Sequence, residues 1–135
     1  MLFLAILAVV VAGALIIATH AAVSLEHRVG AAAINRQRAF AASEYGLWSS
    51  VANWDAANSA LEPGAATRKV VRAGADSAII TTVRLNTELY WLVADAVAGD
   101  PERGARRRTA INLHVTTDSA GTHVTPVRRS WSEVH

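Results

Sequence analysis

Residues 1–25 decide the fold of this protein, and they read MLFLAILAVVVAGALIIATHAAVSL. The stretch contains no Asp, Glu, Lys or Arg, so all 13 basic and all 11 acidic residues of the chain lie in residues 26–135. A helix of 18 residues is about 27 Å long, close to the hydrocarbon core of a bilayer at about 30 Å. Because a helix satisfies its own backbone polar groups, we predict one transmembrane helix over residues 1–25.

Two alternatives to a spanning helix are weaker. A cleaved secretory signal has a basic start, a shorter apolar run and small residues at the cleavage site, and Thr19-His20-Ala21 is a poor site of that kind. A buried helix of a water-soluble protein is the other alternative, but residues 26–135 could hardly cover such a helix on all sides. The membrane span is therefore the favoured interpretation.

The composition of the 135 residues excludes several kinds of protein. Without cysteine, the chain cannot form disulfides, thiolate metal sites or a cysteine nucleophile. The net charge of +2 gives little reason to expect a nucleic-acid partner. There is no Gly-rich phosphate loop and no metal-ligand spacing. We therefore expect no enzyme activity, no cofactor and no small-molecule substrate.

The helix is predicted to continue beyond the membrane, because no proline occurs before Pro63 and strong helix formers dominate the sequence. Apolar residues also recur on one helical face. The residues expected to form the core between helix and sheet are Phe40, Leu47, Trp48, Val51 and Trp54. Residues 26–62 are thus predicted as the amphipathic continuation of the helix, which should end near residue 59.

Residues 63–120 have the pattern of an antiparallel sheet, in which segments rich in Val, Ile, Thr and aromatic residues alternate with turn-forming stretches. These segments are residues 67–72, 78–85, 88–97 and 107–117. They predict a four-stranded meander, to which residues 121–135 add a fifth, edge strand or a mobile arm. The helix and the sheet each have one apolar side and would cover each other, so the predicted fold class is α+β.

Residues 38–47, RAFAASEYGL, resemble the R-A-[FL]-x-A-A-E-A-G-L stretch in the helix of PilX-type minor pilins. Ser43 and Tyr45 differ from that pattern. A lone N-terminal helix, half in the membrane and half packed on an antiparallel sheet, is also similar to the plan of type IV pilins and type II secretion pseudopilins. A strand that leads through an Arg-rich turn into an apolar strand, over residues 89–111, extends the resemblance.

The resemblance implies an accessory subunit of a type IV pilus or related secretion filament. Its partners would be other pilin-like subunits, the inner-membrane assembly machinery and membrane lipid. Major pilins have a Glu near the start of the mature helix and prepilins have a short basic leader, whereas no acid precedes Glu26 and no leader is present. This implies a minor subunit in mature or shortened form.

The location of the soluble domain is predicted differently by two arguments. The resemblance implies a single-pass protein of the inner membrane whose soluble domain lies outside, or on an extracellular filament. The positive-inside rule, applied to Arg28, Arg36 and Arg38, would instead place the soluble domain in the cytoplasm.

Filament assembly would bury the apolar helices of several subunits against one another. Small residues allow helices to approach closely. The candidates for this packing are Ala8, Ala12, Gly13, Ala14 and Ala18.

An alternative interpretation keeps the same architecture but assigns a different role: a single-span membrane protein whose small α+β domain is a scaffold or a sensor.

Two charged features are further candidates. Glu44 lies on the apolar side of the helix, where it either pairs with an Arg and sets register or stays partly exposed beside Tyr45. The densest basic cluster consists of Arg103, Arg106, Arg107 and Arg108. We predict that it forms a solvated hairpin, and because no aromatic residues are interleaved with it, nucleic acid is not an expected partner.

Overall fold

The computed structural model describes residues 2–100 and 104–134. Its elements in chain order are α1 (Leu2–Ala52), α2 (Ala56–Ser59), β1 (Ala66–Ala73), β2 (Asp76–Arg84), β3 (Leu89–Ala98), β4 (Ala105–Asp118), β5 (Gly121–Pro126) and β6 (Ser132–Glu133). The chain divides into two compact units, residues 1–34 and residues 35–135. A long N-terminal helix and an antiparallel sheet confirm the predicted α+β class.

The first unit is the N-terminal part of α1, up to Ile34, and its large apolar side chains are exposed. Phe3 is 77% exposed, and Val9 and Ile17 are each 72% exposed. Judged by length and composition, α1 is the one helix in the described part of the chain able to cross a membrane, and its most apolar window has a mean hydropathy of 2.5. Lipid can cover such side chains, since the helical backbone needs no hydrogen bonds from water.

The second unit is built on one antiparallel sheet in which β1 to β5 are neighbours in chain order. Strand β4 is the longest strand, at 14 residues. It pairs with β5 from Leu113 to Asp118 and with the short β6 at Thr109 and Ala110. The segment predicted as an edge strand or arm therefore supplies β5 and β6, both of which extend the meander beyond β4.

Helix α1 ends at Ala52, earlier than the sequence prediction places its end. The side-chain amide of Asn53 donates to a carbonyl oxygen of the preceding turn. The Asp55 carboxylate then accepts a hydrogen bond from the backbone N–H of Ala57 and so caps the start of α2. Asn and Asp side chains compete in this way with the hydrogen bonds of a continuous helix. This competition explains why the prediction of one helix to residue 59 was wrong.

The core of the second unit lies between α1 and one face of the sheet. Its largest buried side chains include Tyr90, Leu47, Ile80, Leu92 and Leu113. Helix α1 contributes mainly small buried residues, namely Ala39, Ala42, Ser43 and Gly46. These residues are three or four positions apart and therefore lie on one side of the helix. Small side chains on this side allow the helix to come close to the sheet.

Helix α1 approaches β2 closely at Gly46. A Cβ atom at this position would lie 2.7 Å from Ile80 Cδ1 and 2.9 Å from the Ala78 Cβ. Carbon atoms in favourable contact lie about 3.5–4.0 Å apart, so a larger residue would push the helix away from the sheet. In contrast, nothing lies within 4 Å of the corresponding position at Gly30. Gly46 and Gly30 therefore have different structural roles.

Candidate functional site

The residues predicted to pack helices together lie in the first unit. Ala8, Ala12, Ala14 and Ala18 are exposed, and Gly13 is half-buried. Nothing lies within 4 Å of the position where a side chain at Gly13 would begin. This stretch of α1 is therefore available to lipid or to another helix that approaches closely.

The residues predicted to form the helix–sheet core take different positions. Leu47 is buried at 1% exposure, while Val51 and Trp54 are partly buried and pack against the core. Phe40 is half-buried, and its ring meets that of Trp131 edge to face with centroids 6.1 Å apart. Phe40 thus connects α1 to the segment after β5.

Trp48 does not join this core, contrary to the sequence prediction, because it is 47% exposed. It directly follows the buried Leu47, and consecutive residues of a helix point about 100° apart. The prediction followed the large apolar side chains, whereas the contact face is formed by small residues such as Ala42 and Gly46. Trp48 is therefore turned out of the helix–sheet contact.

Trp54 is fixed at the end of α1 by two specific contacts. Its ring lies edge-on to Tyr90 with centroids 5.2 Å apart. Its Nε1–H donates to Ser59 Oγ at 3.0 Å. Aromatic pairs of this geometry add about 0.5–1.5 kcal/mol beyond the burial of their area. Trp54 thereby holds the turn into α2 against the core.

Arg84 organises the loops at one end of the sheet, and sequence reasoning missed it. Its guanidinium donates to four backbone carbonyl oxygens at 2.6–3.0 Å, which are those of Ser59, Leu61, Asn86 and Thr87. It also lies over the Tyr90 ring, 5.6 Å from the centroid. Arg suits this position because its planar fork carries five N–H donors. A charged residue at the end of an apolar strand was the only local signal.

The described arginines of the basic cluster lie on the hairpin that β3 and β4 form, and Arg106 and Arg108 are exposed. Arg106, Arg107 and Arg108 belong to strand β4, and Arg103 lies outside the described residues. Successive residues of a strand point to opposite faces, so Arg107 points away from Arg106 and Arg108. The three cations are thereby divided between the two faces of the sheet instead of forming one basic patch.

Asp95 binds two of these cations on the sheet face opposite the helix. Its carboxylate accepts hydrogen bonds from Arg106 Nε at 2.7 Å and from Arg108 at 2.8 Å. The hydrogen bond from Arg106 is the main cause of the lowered pKa of Asp95; Arg108 adds to it, and partial burial opposes it. Asp95 is paired with Arg108 across β3 and β4, so the strand register creates the ion pair.

Arg107 fastens the C-terminal segment on the other face. Its guanidinium forms an ion pair with the carboxylate of Glu133 in β6. The backbone N–H of Val134 also donates to the Arg108 carbonyl oxygen at 2.9 Å. Further along this segment, the Ser130 hydroxyl bonds the backbone of Asn112. The segment after β5 is therefore attached to β4 at several points.

An apolar groove of about 480 Å³ lies between α1 and this segment. It is lined by Glu44, Trp48, Ile111, Pro126, Val127, Arg128, Arg129 and Trp131, and we call it the Trp48–Trp131 groove. Within the described residues, Glu44 has no ion pair or side-chain hydrogen bond, and neither have Arg128 and Arg129. The pairing of Glu44 with an Arg is therefore not found inside the described part of the chain.

No family model, curated protein or solved structure matches this chain. In the residues that the structure describes, no group of three or more His, Asp and Glu side chains could hold a metal ion. The fold and contacts define a class: an α+β domain on a helix able to cross a membrane, with an open apolar groove beside that helix.

Proposed function

We propose that this protein is a membrane-anchored, pilin-like accessory subunit that assembles through α1 into a type IV pilus or a related secretion filament. The observation that carries the proposal is that two parts of one helix differ in burial. Residues 3–34 of α1 bury almost none of their described side chains, whereas Ala39 to Leu47 pack on an antiparallel sheet. One helix thus offers an anchor or assembly surface and also forms part of a folded domain.

Exposed apolar side chains on the first unit require a non-aqueous environment. Covering one large aliphatic or aromatic side chain is worth about 1.5–3 kcal/mol. Phe3, Val9, Ile16 and Ile17 are each at least 68% exposed, so their burial elsewhere would be strongly favourable. A bilayer provides that environment before assembly, and the helices of neighbouring subunits provide it in a filament.

The small residues of the apolar stretch favour packing between helices over contact with lipid alone. Helices in lipid associate through van der Waals contacts that small residues permit. Ala8, Ala12, Ala14 and Ala18 are exposed, and Gly13 has nothing within 4 Å of a would-be side chain. Residues four apart are neighbours on a helix, so Ala8 with Ala12, and Ala14 with Ala18, each offer a second helix a place of close approach.

An accessory role is supported by the charge pattern. The apolar stretch has no acidic side chain before Glu26, whereas major pilins have a carboxylate inside the helix bundle. A chain without that carboxylate fits the start or end of a filament better than its repeating body. The alternative of a scaffold or sensor would need the same membrane helix but no filament.

The proposal is tested by isolating surface filaments from cells that make the full chain with a C-terminal tag. We expect the tagged chain in the sheared filament fraction. Ala12→Leu should lower its amount there, because the larger side chain prevents close helix approach. Val11→Leu is the matched control, since it changes an exposed apolar residue without filling a small-residue position.

Filaments that form normally while the tagged chain stays wholly in the membrane fraction would refute the proposal. That result would favour the scaffold or sensor alternative. Equal filament incorporation of Ala12→Leu and Val11→Leu would refute the role of the small residues.

A further inference from the structure

The Trp48–Trp131 groove has the composition of a protein-binding surface. Trp48 is 47% exposed, Trp131 is 42% exposed and Val127 is 38% exposed. Tryptophan and arginine are the residues most enriched among those that dominate binding energy at interfaces. Here two tryptophans and two arginines surround one apolar groove.

The backbone at Arg129 points to a use for its side chain. This residue has a φ of 60°, in the left-handed region that favours glycine. A residue with a Cβ atom in this region costs about 1–2 kcal/mol. Glycine would avoid that cost. The presence of Arg therefore indicates that its cation contributes to what the groove binds.

The charges at the groove lack ion-pair partners in the part of the chain that the structure describes. Glu44 lies on α1, and Arg128 and Arg129 lie on the segment after β5. None of the three forms an ion pair among the described residues. A ligand that fits the groove therefore needs an apolar ridge, a cation for Glu44 and an anion for the arginines.

Helix α1 itself carries such a surface just beyond its most apolar part. Leu25 is 63% exposed and Val29 is 62% exposed, and residues four apart are neighbours on a helix. Glu26 and Arg28 are exposed on opposite sides of the ridge that Leu25 and Val29 form. This face supplies an apolar ridge, an anion on one side and a cation on the other.

We infer that the Trp48–Trp131 groove binds residues 25–29 of α1 from a second copy of this chain. The Leu25 and Val29 ridge would lie in the groove, Arg28 would face Glu44, and Glu26 would face the two arginines. The inference rests on the proposed assembly function and names one of its contacts. Since the two surfaces differ, the contact is heterologous and can be repeated from copy to copy.

The absence of cysteine from the sequence makes this contact directly testable by cross-linking. Two differently tagged full-length copies are made together, one with Val127→Cys and the other with Val29→Cys, and the cross-linker is added to the sheared filament fraction. A short bis-maleimide should join the two tags. A copy with Val70→Cys is the matched control, because Val70 is 63% exposed but lies on β1, away from the groove.

Charge reversal provides the second arm of the experiment. Glu44→Arg should lower the yield of the 127–29 cross-link about fivefold, the scale expected for exposed ion pairs. Arg28→Glu in the partner copy should restore the yield, because the pair is then re-formed with reversed charges. No cross-link above that of the Val70→Cys control, or no rescue by Arg28→Glu, would overturn the inference.

A second cross-link separates this inference from the proposed function. Copies that carry Ala12→Cys should cross-link to each other wherever the apolar helices pack together. An Ala12 cross-link without a 127–29 cross-link would overturn the groove contact and leave the proposed assembly standing. The loss of both cross-links, together with the absence of the chain from filaments, would contradict both.

Discussion

Gly46→Ala is the substitution that tests the packing of α1 on the sheet most sharply. The new Cβ atom would lie 2.7 Å from Ile80 Cδ1 and 2.9 Å from the Ala78 Cβ. Ile80 can turn its terminal methyl group away, but the Ala78 Cβ is fixed to the backbone of β2. The helix or the strand must therefore move.

Two opposing effects set the size of the change. Alanine in place of glycine favours a helix by about 1 kcal/mol. Overpacking in a well-packed core costs typically about 1–3 kcal/mol. Because one of the two contacts cannot relax by side-chain rotation, we expect the free energy of unfolding to fall by about 1 kcal/mol net. The free energy of unfolding should fall further for Gly46→Val, because valine is larger than alanine and a poorer helix former.

The assay is urea unfolding of the full chain in detergent, followed by tryptophan fluorescence, since Trp54 packs against the core. Gly30→Ala is the matched control: its Cβ meets nothing within 4 Å, so the sheet unit should unfold at the same urea concentration as in the wild type. Adding Ile80→Val to Gly46→Ala should recover part of the loss. A Gly46→Ala protein as stable as the wild type would refute the close approach.

Three further substitutions follow from the ion pairs and the loop contacts. Arg84→Lys should lower the free energy of unfolding by about 2 kcal/mol in urea titrations, since one ammonium group cannot reach four carbonyl oxygens; unchanged stability would contradict this. Folding lowers the pKa of Asp95, so its ionised carboxylate stabilises the folded state fully above about pH 4. This stabilisation is lost as the pH falls through the pKa of Asp95 in the folded state. Asp95→Asn should therefore flatten the acid side of the curve of unfolding free energy against pH. An identical curve for that variant would speak against the ion pair. Arg38 donates two hydrogen bonds to Asp76 at 2.9 and 3.0 Å. Arg38→Gln should therefore lower the melting temperature, with a loss of up to about 1 kcal/mol in the free energy of unfolding, whereas Arg36→Gln should leave the melting temperature unchanged.

Local patterns in the sequence were enough for the architecture. An uncharged apolar run predicts a membrane helix because the bilayer core sets the length of such a run. The alternation of Ile111, Leu113 and Val115 with polar residues predicts a strand with one buried face, and all three are buried in β4. These signals depend on neighbours a few positions away, and so one sequence can reveal them.

Contacts between distant residues could not be predicted in the same way. Trp48 was placed in the core because it is large and apolar, but the depth of helix packing is set by Gly46 against β2. The ion pairs of the β4 arginines were not predicted, because Asp95 and Glu133, which pair with them, are distant in sequence. Arg84 binds backbone carbonyl oxygens, which every residue has and no motif reveals.

Thiol labelling of the cysteine-free chain tests most directly whether α1 is embedded in a membrane with the sheet unit outside. Thr122→Cys places a thiol on exposed β5, and Val10→Cys places one on a helix residue that is 61% exposed in the isolated chain. In intact spheroplasts, a membrane-impermeant maleimide should label Thr122→Cys but not Val10→Cys, and both should react after denaturation. A Thr122→Cys thiol protected until the membrane is opened, or a Val10→Cys thiol that reacts equally fast, would contradict the account.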